Sequence, residues 1–75
     1  WNNSFVLRMS DRFAERLKRE AGADLRRQIE LAYQLAFVRP PQADELTQAV
    51  GFVREQGLPA LCRVIFNSNE FLYID

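Results

Sequence analysis

The stretch IELAYQLAFVRPPQADEL, residues 29–46, decides the fold. Its first ten residues place Ile29, Ala32, Tyr33 and Ala36 on one helical face and Leu31, Leu35 and Val38 on another, so the helix is apolar over most of its circumference. Arg39-Pro40-Pro41 then stops it. The residue before a proline is pushed out of the helical region, and neither proline has an amide hydrogen to donate. QADEL restarts a helix at once: Gln42 with Glu45 three residues on imitates a capping box. Asp44 and Glu45 also put negative charge at the positive end of the new helix dipole.

Working outward from this break, four apolar-periodic segments emerge. Upstream, Asn2, Asn3 and Ser4 are acceptable caps for a helix over about 5–20, with Phe5, Met9, Phe13 and Leu17 at spacings of four and Val6 and Ala14 widening the stripe. Gly22 ends that helix, and Asp24 caps the one over 25–38. Downstream, Leu46, Ala49, Val50 and Val53 form the stripe of the third, with Phe52 beside it. Gly51 inside that helix costs about 1 kcal/mol relative to alanine, which points to close approach by another helix. Gly57 ends it. Pro59 suits the first turn of a fourth helix, in which Leu61, Val64 and Ile65 face one way and Cys62 and Phe66 extend the surface. Asn67, Ser68 and Asn69 close it, leaving Phe71, Leu72 and Tyr73 to fold back on the core.

The expectation is an all-α, compact four-helix array over residues 1–75 with the second helix central and the C-terminal tail packed back. Its core comprises Phe5, Met9, Phe13, Leu17, Ile29, Tyr33, Leu46, Val50, Val53, Leu61, Ile65 and Phe71. No strand pattern, internal repeat or low-complexity tract interrupts this reading. The chain has 75 residues, 48% hydrophobic and 27% charged, the profile of a chain that folds as one small domain. Trp1, Phe37, Phe52, Phe66 and Tyr73 cannot all be interior in a bundle of this size.

Composition also restricts the chemistry. There is one cysteine and no histidine, which removes a disulfide framework, the usual zinc spacings, a Cys-His dyad and haem attachment. Formal net charge is zero, but residues 1–39 hold eight Arg/Lys against five Asp/Glu and residues 40–75 hold two against five. No apolar run reaches the length of a membrane span.

Three constellations invite a chemical reading, and each has a structural one. Arg8, Arg12, Arg16 and Arg19 share one face of the first helix. Asp11 and Glu15 interleave them, and Glu15 reaches Arg19 at i+4, so a solvated face is expected and no nucleic-acid partner. Asn67, Ser68, Asn69 and Glu70 are hard oxygen donors without the spacing of a cation-binding loop; local capping explains them, and Glu70 has Arg63 as a candidate partner. Cys62 lies near the fourth helix's start beside Arg63. With no base to activate it, it reads as a buried small hydrophobe. Asp44 with Glu45, and Asp11 with Glu15, are explained by helix-end and surface electrostatics. No catalytic, cofactor-binding or metal-ligating residue is assigned, and no cofactor is expected in this segment.

Three local signatures, NNSFVLRMSDRFAERL at 2–17, IELAYQLAFVRPPQADEL at 29–46 and LCRVIFNSNEFLYID at 61–75, carry a resemblance that covers essentially the whole chain. It resembles the C-terminal segment of a planctomycete-specific domain of unknown function, found in large predicted exported proteins that often carry a cytochrome-c-like domain. The resemblance implies an exported or cell-envelope setting and a chain that continues upstream of Trp1. It brings no activity and no haem ligand to any position here. The function expected is a non-catalytic structural or protein-interaction module, with the rest of the parent chain or another protein as partner. The alternative is an accessory segment that completes an upstream enzyme or electron-transfer domain.

Overall fold

The computed structural model describes residues 4–68, and within them four helices follow in order: α1 (Ser4–Ala21), α2 (Leu25–Phe37), α3 (Ala43–Gln56) and α4 (Leu58–Phe66). Each boundary has a local cause. Gly22 adopts φ +79°, and its N–H donates to the Lys18 carbonyl at 3.0 Å, closing α1 with the left-handed residue that glycine tolerates best. The Asp24 carboxylate accepts the Arg26 N–H at 3.0 Å and starts α2. At the other end of the break, the Gln42 N–H donates to Glu45 Oε1 at 2.8 Å, the expected capping contact of α3. Gly57, at φ +94°, separates α3 from α4 in one residue, and Pro59 occupies the first turn of α4. Asn67 and Ser68 donate their N–H groups to the Arg63, Val64 and Ile65 carbonyls. The expected positions of Asn2, Asn3 and Phe71, and the tail's return to the core, lie outside the described residues.

The helices form a ring in which α1 packs on α2, α2 on α3, α3 on α4, and α4 back on α1 most extensively of all. The Cα radius of gyration is 11.3 Å, the value of about 11 Å expected for a compact chain of this length. At the centre, Leu17, Ile29, Ala32, Ala36 and Cys62 are inaccessible to solvent. Alanines at 14, 32, 36 and 49 let the helices approach closely, and Phe13 stacks on Phe66 with centroids 5.5 Å apart, tying α1 to α4. Two buried polar side chains are satisfied within the fold: the Ser10 hydroxyl donates to the Val6 carbonyl at 2.8 Å, and Gln28 Nε2 donates to the Gly22 carbonyl at 2.6 Å. The second bond ties α2 to the turn that precedes it.

Several sequence expectations need correction. Phe5 is 60% exposed rather than core. The reason is geometric: each step of four residues advances 400° around a helix, so a row at 5, 9, 13 and 17 drifts about 40° per step. Leu17 sits at the centre of the buried face, Phe13 and Met9 are half-buried, and Phe5 has rotated into solvent. A different offset acts on α4. Leu58, Leu61, Cys62 and Ile65 define its buried face, and Val64, about 100° from Ile65, is 53% exposed. Tyr33, Leu46 and Val53 are half-buried flanks of the core. The central position expected for α2 is not unique to it, because five of the nine residues of α4 are buried against five of thirteen in α2. Gly51 is exposed, and a Cβ added there would meet nothing within 4 Å, so no helix of the described residues approaches it. On α1 the pairing also differs. Arg16 Nε bonds the Glu20 carboxylate at 2.7 Å and Glu15 lies 4.0 Å from Lys18, in place of Glu15 with Arg19.

Candidate functional site

The corner between α2 and α3 gathers the most elaborate polar chemistry of the described residues. Because Arg39 precedes Pro40, the chain leaves α2 abruptly, and Val38 closes the helix at φ +57°, ψ +35°, donating its N–H to the Gln34 carbonyl at 3.1 Å. That left-handed conformation is unfavourable for a β-branched residue. Val38 is 66% exposed, so its side chain gives little back. Val38→Gly is expected to raise stability by about 1 kcal/mol, strain relief outweighing the added chain entropy of glycine; urea denaturation of the two proteins measures it.

The turn delivers Arg39 onto Glu45. The guanidinium donates from Nη1 to Oε1 at 2.8 Å and from Nη2 to Oε2 at 3.0 Å, a two-bond fork that bridges the proline break. Its Cζ lies 5.5 Å from the Tyr33 ring centre and 5.6 Å from that of Phe37, and these two rings meet edge to face at 5.1 Å. The Arg39 hydrogen bonds, joined by the Gln42 N–H, hold the Glu45 carboxyl down to about 2. The capping role of Glu45 is written in the sequence as the Gln42/Glu45 spacing, whereas its stronger bond to Arg39 is a finding of the structure. The signal was present in an arginine placed between an aromatic helix end and a first-turn acid.

Beside this corner an open groove of about 310 Å³ runs between α3 and α4, lined by Tyr33, Glu45, Gln48, Phe52, Leu61 and the exposed Val64. Its lining is chiefly apolar, with Glu45 and Gln48 as its polar members.

Cys62 is the other residue singled out by sequence, and the structure moves it from the start of α4 to the fifth of nine helical residues. It is fully buried. Burial pushes its thiol up to about 12, with Arg63 offsetting only part of the effect. Native protein is therefore expected to resist a thiol reagent at pH 8 that labels the unfolded chain promptly. Labelling at equal rates in water and in denaturant is the outcome that contradicts this burial. Of the arginine face, Arg8, Arg12 and Arg19 are exposed and Arg16 half-buried. Among the described residues no three of Cys, Asp and Glu gather in a metal-binding geometry, and no helix is long and apolar enough to cross a membrane. Compared with known proteins, the chain matches no family model, no curated protein and no solved structure.

Proposed function

We propose that this chain is a non-catalytic helical module that docks against the rest of a larger exported, cell-envelope polypeptide or against another protein. The observation that carries this reading is the groove between α3 and α4, where Val64 stands 53% exposed in continuity with Phe52, Leu61 and Tyr33. In a helix where Leu58, Leu61 and Ile65 are buried, an exposed valine beside such a lining marks a surface suited to contact. The polar groups with shifted acid strength point the same way. Glu45 is committed to Arg39 and the α3 N-terminus, and Cys62 is a core residue. Resemblance to the planctomycete-specific domain supports the exported setting and the larger parent, and it attaches no chemistry to any position.

The test is turnover of the full-length parent polypeptide with and without residues 1–75. A remainder that stays folded and keeps its full turnover number supports the docking module. Loss of turnover in a still-folded remainder overturns it in favour of a segment that completes an upstream enzyme.

A further inference from the structure

We propose that the outer face of α3 docks the outer face of α1 from a second copy of this chain, antiparallel and head to tail. This goes beyond the module reading by naming one partner. Four residues of α3, Asp44, Gln48, Gly51 and Glu55, recur at spacings of four, three and four, and all four are exposed on one stripe. Gly51 lies in the middle of that stripe with nothing within 4 Å of the position its Cβ would take. A glycine inside a helix destabilises it, and here no contact within the described residues offsets that cost. The bare backbone leaves a flat site where another helix can come close.

α1 carries the complementary pattern. Arg8, Arg12, Glu15 and Arg19 recur at spacings of four, three and four and are all exposed. Arg8, Arg12, Arg19, Asp44 and Glu55 have no ion-pair partner among the described residues. Both stripes span twelve residues, about 16 Å along a helix axis from first to last. Laid antiparallel, they set Arg8 against Glu55, Arg12 over Gly51, Glu15 beside Gln48 and Arg19 against Asp44. The antiparallel sense is favoured over the parallel one because it brings the C-terminal end of α1 to the N-terminal end of α3, where the helix dipoles are of opposite sign. Arg12 then lies along the one position that offers it room, instead of the shorter Glu15.

The ring places α1 and α3 across from each other, each flanked by α2 and α4. Their outer faces point to opposite sides, so one copy cannot satisfy both contacts with the same neighbour. The contact is heterologous and propagates head to tail. It explains how a chain of zero net charge carries a basic half and an acidic half. A single pair of polar helix faces belongs to the weak, transient class of interface, and its ion pairs are screened by salt.

Sedimentation equilibrium of the chain at low salt, over a hundredfold range of concentration, tests the proposal. The expected result is a mass that rises with concentration and falls back to the monomer at high salt. Two charge-reversed proteins make the test specific to the register. Arg8→Glu with Arg19→Glu, and Asp44→Arg with Glu55→Arg, are each expected to be folded by circular dichroism and monomeric. Mixed in equal amounts, they are expected to associate again, since each now offers the faces that the other lacks. Gly51→Leu, at an exposed position that tolerates a side chain, is expected to stay folded and lose association, and it serves where a charge reversal at a helix end harms folding. A monomeric wild type at every concentration, association undiminished in Gly51→Leu, or a mixture of folded charge-reversed proteins that stays monomeric each overturns the proposal. None of these outcomes alters the parent-polypeptide turnover on which the module reading is judged.

Discussion

Leu17→Ala is expected to cost about 3 to 4 kcal/mol, because Leu17 is fully buried where α1 meets the rest of the ring and its removal leaves a cavity that close-packed helices refill only in part. A domain of this size has roughly 4 to 11 kcal/mol in total, so the substitution takes a large share of it. At about 4 to 8 °C per kcal/mol for a small domain, the midpoint of thermal unfolding should fall by roughly 12 to 30 °C when followed by far-ultraviolet circular dichroism. Phe5→Ala makes the contrast, since it removes more side-chain volume at a position 60% exposed. A change within about 0.5 kcal/mol is expected there. Equal effects at the two positions would show that the α1 stripe is not turned as described.

Opening the clamp at the α2–α3 corner has the second largest effect. Arg39→Ala removes both hydrogen bonds to Glu45 and the guanidinium that lies against Tyr33 and Phe37. Both partners keep about a third of their side-chain surface in solvent, so screening reduces the loss to about 2 kcal/mol. The effect depends on pH with a definite sign. Glu45 is held at about 2 in the folded chain against an ordinary value of 4.5, so its ionised form stabilises the fold. That stabilisation is complete above pH 4.5 and disappears as pH falls toward 2. Glu45→Gln should therefore be less stable than wild type near neutrality and approach it below pH 3, in urea titrations taken across that range. A gap that persists undiminished to pH 2 would place the loss in packing instead of charge.

Sequence alone made the architecture legible because the punctuation is strong. Asp24, the Pro40-Pro41 break, the Gln42/Glu45 start and Gly57 each act through local backbone geometry, and local geometry is written in neighbouring residues. The azimuth of each stripe was less legible. Spacings of four point only approximately along a helix of 3.6 residues per turn, so Phe5 at the end of such a row stands exposed, and Val64, expected to face the same way as Leu61 and Ile65, lies off their buried face. Gly51 is exposed and no described residue approaches it; a sequence shows that a glycine is present without showing what approaches it. The groove beside Tyr33 and Phe52 was not legible at all. It depends on how α3 and α4 lie together, and that placement follows from packing across the whole ring. Cys62, by contrast, was read as a buried small hydrophobe, and in α4 its neighbours Leu58, Leu61 and Ile65 are buried with it.

The proposal that Val64 and the groove beside it form a docking surface for a parent polypeptide is tested most directly by calorimetric titration of this chain against the remainder of the proposed parent. Wild type is expected to bind saturably, and Val64→Asp, folded because the position is exposed, is expected to bind at least tenfold more weakly, since a carboxylate placed on an apolar contact must be desolvated without a partner. Binding by Val64→Asp as tight as that of wild type, or no binding by wild type at all, would contradict docking to the parent polypeptide through this groove.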